Sequence, residues 1–164
     1  MKEILKKINI KRLLQYWLFM FLSLVAQNML FTQLRPMGVC PLVLPAVAVA
    51  VGMFEGAVWG AVFSLVLGYF ADMAFIENAI AFTVLFPALS FLAGFVAQFF
   101  INRRFFAYMG AAFIGILATG IFQMLKTVAM DVWSGSMITT VILQTLWSLP
   151  FAALAYFPAA EWIE

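Results

Sequence analysis

Apolar runs of about 18 residues or more recur along the whole sequence, separated by short stretches that hold most of the charge. A run of that length is what a helix needs to cross a hydrocarbon layer of roughly 30 Å. It also limits the chain to folds that satisfy every backbone polar group without water. A transmembrane β-barrel would show alternating segments of about ten residues, and no such alternation is present. Composition agrees: 66% of residues are hydrophobic and 10% charged, against roughly 45–50% and 25% in soluble domains. The fold class expected is an all-α polytopic membrane protein with a single integral membrane domain over residues 1–164.

Six spans are expected, at about 13–34, 39–54, 56–71, 79–101, 105–125 and 137–157. The second and third are short and meet through Glu55. They read either as two helices or as one long broken helix, and the glycines and the acid favour two. The cluster Lys2, Lys6, Lys7, Lys11 and Arg12 reads as a cytoplasmic flank rather than a nucleic-acid surface. Leu13 to Phe31 is long for a signal-peptide core and lacks a small-x-small cleavage site, so a retained first span is expected. With the N-terminus inside, the inner segments hold those five cations with Arg103 and Arg104, and the outer segments hold Arg35 and Lys126. The excess of inner cations gives an N-in, C-in topology. Trp17 and Trp162 then fall near the inner interface and Trp133 near the outer one, whereas Trp147 falls mid-span.

The chain has no histidine and one cysteine, Cys40. An internal disulfide, a His-based metal site and a His-containing triad are therefore excluded. No phosphate-binding loop or paired-carboxylate site is present, all loops are short, and no enzyme activity, cofactor or nucleic-acid binding is expected.

The most ordered pattern is a ridge of small residues at every fourth position: Gly52, Gly56, Gly60, Ser64 and Gly68, ending at Asp72. Small residues let a neighbouring backbone approach, and in lipid such van der Waals contact is a main source of helix association. The ridge predicts that the third span is a central, closely packed helix. Spacing leaves open whether its partner lies in this chain or in another protein. Asp72 reads either as a solvated loop acid or as an inward-facing acid, paired with Arg35 or Lys126 or capping backbone donors. Glu77-Asn78 suits the start of the fourth span. Pro36 follows the first span. Pro41 and Pro45 in the second span, Pro87 in the fourth and Pro150 in the sixth would shape their helices. Gln27, Asn28, Gln98, Gln123 and Gln144 would hydrogen-bond between helices, or else line a pocket with Trp147.

The basic N-terminus, the Leu34-Arg35-Pro36 after the first span, Gly56 and Gly60, and the stretch Gly68-Tyr69-Phe70-Ala71-Asp72 together resemble the rod shape-determining protein MreD family. Asn78-Ala79-Ile80-Ala81-Phe82 stands where that family has a glycine-containing turn. The resemblance implies a six-helix bundle like the substrate-binding S components of energy-coupling factor transporters. It implies a multi-pass protein of the bacterial inner membrane, acting as a non-enzymatic scaffold of the cell-elongation and peptidoglycan-synthesis complex. The implied partners are an MreC-like bitopic protein, MreB, RodA and a penicillin-binding synthase, with membrane lipid around the chain. The alternative is a vitamin-binding S component itself. Against that, the first span carries Ser23, Val25, Ala26 and Gln27 but no Ala-x-x-x-Ala coupling motif, and the outer loops are short.

Overall fold

A computed structural model describes residues 10–31, 33, 38–74, 81–99, 105–129 and 134–163. The described residues form six helices and no strand: α1 (Ile10–Val25), which runs on through a wider π-helical turn at Ala26–Phe31, α2 (Leu44–Glu55), α3 (Ala57–Ala74), α4 (Ala81–Phe99), α5 (Phe105–Ala129) and α6 (Ser136–Ile163). The six helices match the six expected spans in number and order. Four of them, α3 to α6, are long and apolar enough to cross a membrane. The protein is a multi-pass membrane protein. Large apolar side chains such as Val58, Val84, Ile114 and Leu154 are exposed on its outside, where lipid rather than water is the solvent.

The centre of the bundle is α2, not α3. Every residue from Leu44 to Phe54 is buried. The sequence explains this, because α2 carries two apolar stripes at helical spacing. Leu44, Val47, Ala48 and Val51 join one core cluster with Phe82 and Phe86 of α4 and Leu67 and Ala71 of α3. Ala46, Val49, Ala50 and Met53 join a second cluster with Tyr108, Ala112 and Ile116 of α5 and Ala152 and Ala159 of α6. A helix apolar all round belongs inside, and α2 separates the α3–α4 pair from the α5–α6 pair. By contrast, α3 exposes Val58, Trp59, Val62, Leu65, Tyr69 and Met73. The ridge on α3 is thus a close contact but not the axis of the bundle. Helix α1 packs loosely against α3, α6 and α2.

Several helix limits differ from expectation. The second span is not helical throughout, since residues 39–43 belong to no helix or strand and α2 begins only at Leu44. Pro41 lies in the irregular stretch before α2, and Pro45 sits in the first turn of α2, where its missing N–H leaves no bond unmade. Neither kinks a helix. Helix α6 runs to Ile163 and continues through both Pro150 and Pro158, while α4 continues through Pro87. Trp147 is 38% exposed on the outside of α6.

Tyr108 ties the α5–α6 half to the centre. Its buried hydroxyl donates to the Ala152 carbonyl at 2.8 Å and lies 3.4 Å from that of Ala46. Tyr108→Phe keeps the ring contacts and removes this bond. A loss of about 0.6–1.5 kcal/mol is expected, the range of interhelical hydrogen bonds in membranes, and reversible unfolding in mixed micelles would measure it.

Candidate functional site

The small residues of the ridge do not share one helix. Gly52 lies near the end of α2. Gly56 lies between the helices with φ +96°, a left-handed conformation that strains any other residue, and its N–H donates to the Gly52 carbonyl at 3.0 Å. Gly60, Ser64 and Gly68 lie on α3. The turn at Gly56 folds α3 back, so Gly52 and Gly60 face each other across it. A Cβ on Gly60 would run into the Gly52 Cα and lie 2.7 Å from the Ser90 hydroxyl. One on Gly52 would run into the Ser90 carbonyl oxygen. One on Gly94 would lie 2.6 Å from both the Gly52 carbonyl oxygen and the Ala57 nitrogen. Three backbones therefore meet at one point, formed by Gly52, Gly60, Ser90 and Gly94. Further along α3, Gly68 is pressed against the backbone of Phe82 and Thr83. What approaches the ridge is α4 of the same chain, with α2 behind it. Gly94 and Ser90 were not among the residues expected here, although Ser90-x-x-x-Gly94 is itself a small-xxx-small pair.

Asp72 closes the other end of the same junction. Its carboxylate accepts from the Phe82 N–H at 3.0 Å, the Thr83 N–H at 2.8 Å and the Thr83 hydroxyl at 2.7 Å. The first N–H groups of a helix have no partner within it, and an acid also suits the positive end of the helix dipole. Asp72 thus caps the start of α4 from α3. Of the cations considered for it, Lys126 sits half-buried in the last turn of α5. Arg35, Pro36, Glu77, Asn78, Asp131 and Trp133 lie outside the described residues, as do Lys2, Lys6, Lys7, Arg103 and Arg104. Asp72→Ala is expected to cost about 1–2 kcal/mol, the upper range for a lost cap. Faster amide hydrogen exchange at Phe82 and Thr83, with the rest of α4 unchanged, would locate the loss at the cap.

A third polar cluster holds residues 40–43. This stretch belongs to no helix or strand, so its backbone N–H groups need partners from elsewhere. Gln27, in the π-helical turn, donates to the Pro41 carbonyl and accepts from the Val43 N–H, both at 2.9 Å. The Ser148 hydroxyl of α6 accepts from the Leu42 N–H at 2.8 Å and donates to the Gln144 carbonyl at 2.6 Å. The Gln144 amide donates to the Cys40 carbonyl at 3.2 Å. Irregular backbone at membrane depth is tolerated where protein buries and satisfies it, and Gln27, Gln144 and Ser148 do so here. Ser148 carried no signal in the sequence beyond being a hydroxyl in an apolar run.

These three arrangements do the same kind of work. They fix backbones to one another. Comparison with protein families, with characterised proteins and with solved structures finds no match for this chain. No group of three or more Cys, Asp or Glu side chains that could hold a metal occurs among the described residues. Among the described residues, an apolar groove runs between α1 and α3, with Tyr16, Trp17 and Met20 on one wall and Trp59, Phe63 and Val66 on the other.

Proposed function

We propose that this chain is a non-enzymatic scaffold of the bacterial cell-elongation complex, similar to the MreD family. It would lie in the inner membrane with both termini on the cytoplasmic side. One observation carries the reading: the residues behind the resemblance, Gly60, Gly68 and Asp72, all belong to the α3–α4 junction, where they set backbone approach and cap a helix. A motif used for rigidity suits a protein that positions other proteins. Two of the five amides that a vitamin pocket would draw on, Gln27 and Gln144, bond instead to the backbone of residues 40–43. Trp147, the candidate stacking face, points out of the bundle.

Affinity purification of the tagged chain from native membranes in mild detergent, with mass spectrometry of the co-purifying proteins, tests the proposal. An MreC-like protein recovered with RodA or a penicillin-binding synthase is the expected result. Recovery of an energy-coupling transmembrane subunit with its ATPases would overturn it in favour of vitamin uptake.

A further inference from the structure

Ser64 on α3 and Ser90 on α4 are both 0% exposed, and neither hydroxyl has a hydrogen-bond partner among the described residues. A hydroxyl in a helix has a ready acceptor in the carbonyl four residues before it. Ser23, Thr119, Thr127, Thr140, Thr145 and Ser148 all use it. Ser90 instead turns its hydroxyl into the crossing: a Cβ on Gly52 would lie 2.6 Å from that oxygen, and one on Gly60 2.7 Å. Burying a hydroxyl without a partner costs free energy. The closed crossing bears that cost at two points, and alanine at either position would remove it.

Helix α4 is held unequally along its length. Its start is pinned by the hydrogen bonds of Phe82 and Thr83 to Asp72, and Gly68 lies against the same two residues. The half from Ser90 to Gln98 meets α2 and α3 by close contact at Ser90 and Gly94. Between the two contacts lies Pro87, which has no N–H to give to the Thr83 carbonyl. A bond missing in this way is a place where a helix bends. Gly60 meets Ser90 and Gly68 meets Phe82, so Ser64, midway between the two glycines, stands level with Phe86 and Pro87. One unmet hydroxyl thus lies at the bend and the other just past it. Both are within about 12 Å of helix rise from the end of the bundle where α3 starts and the exposed Gln98 stands.

We infer that α4 is hinged at Pro87: in a minor open state the half from Ser90 to Gln98 swings away from α2 and α3 and admits water to Ser64 and Ser90, while Asp72 and Gly68 keep the other half in place. In the open state each hydroxyl meets water or turns back onto its own helix, so opening recovers what the closed crossing gives up. The glycine surfaces suit such a joint, because they part without disentangling side chains. The hinge is independent of the scaffold reading.

Amide hydrogen exchange of the full chain in lipid nanodiscs, resolved along α4, tests this in the wild type and in Ser64→Ala, Ser90→Ala and Pro87→Ala. In the wild type the amides from Ser90 to Gln98 should exchange faster than those from Val84 to Phe86. Each serine variant should slow exchange in the Ser90–Gln98 half about fivefold or more, the low end of the effect of one unmet buried hydroxyl, and leave α5 unchanged. Pro87→Ala should bring the two halves of α4 to similar rates. The sign of the serine effect decides the matter, because a hydroxyl that holds the closed crossing together would act the other way. Serine variants that exchange at the wild-type rate or faster, or that fail to fold, would overturn the hinge. So would even exchange along α4 in the wild type, or halves that stay unequal in Pro87→Ala.

Discussion

Gly60→Ala should remove most of the folded protein, although it adds a single methyl group. The new Cβ would meet the Gly52 Cα and the Ser90 hydroxyl, and Gly52 is itself held against the Ser90 carbonyl. Overpacking a core typically costs about 1–3 kcal/mol, because side chains can shift to absorb it. Here the obstruction is largely backbone, so α2, α3 and α4 must move apart together, and a loss of about 3 kcal/mol or more is expected. Gly60→Leu should leave no folded protein to purify. Gly110→Ala serves as the control, because Gly110 lies on the exposed side of α5 with open space around it, and a change within about 0.5 kcal/mol is expected there. Monodisperse yield and unfolding in mixed micelles would compare the three variants. Wild-type stability of Gly60→Ala would show that the three backbones do not meet at this point.

Gln27→Leu is the second substitution with a large expected effect. Leucine approximates the shape of glutamine but offers neither donor nor acceptor. It would leave the buried Val43 N–H without its side-chain acceptor and take the amide donor from the Pro41 carbonyl. An unsatisfied buried donor costs about 1–3 kcal/mol, so a loss of about 2–3 kcal/mol is expected. Ser148→Ala removes the acceptor of the Leu42 N–H and should cost somewhat less. The two should not add, because once Gln27 lets go, residues 40–43 can already move away from α6. A double-mutant cycle with a coupling near zero would show that the two side chains hold the segment independently.

The sequence carried the helix count well, because an apolar run long enough to span a bilayer has few other readings. It carried the ridge less completely. Spacing by four showed that something must come close, but it counted Gly52 and Gly56 with Gly60 as if one helix held them all. The positive φ at Gly56 breaks that continuity, and a glycine that permits a turn looks the same in sequence as one that permits close packing. The irregular stretch 39–43 was hidden for a related reason, since Val39 to Phe54 is apolar whether helical or not. Pro41 and Pro45 were the available signal, because a proline in the first turn marks a helix start. For Asp72, both a cation and capping donors were open. The choice depended on how α4 begins relative to the end of α3, which is a property of packing rather than of either segment alone.

The irregular stretch before α2 bears on how the protein is made. Helix α2 has 12 residues, about 18 Å of rise, which falls short of an independent span. The backbone just before it is satisfied by Gln27, already synthesised, and by Ser148, which lies 106 residues beyond Leu42. During synthesis α3, α4 and α5 therefore emerge while the Leu42 N–H still lacks its final partner. Assembly of this bundle is completed from its last helix inward, and biogenesis should stall wherever translation stops before residue 148.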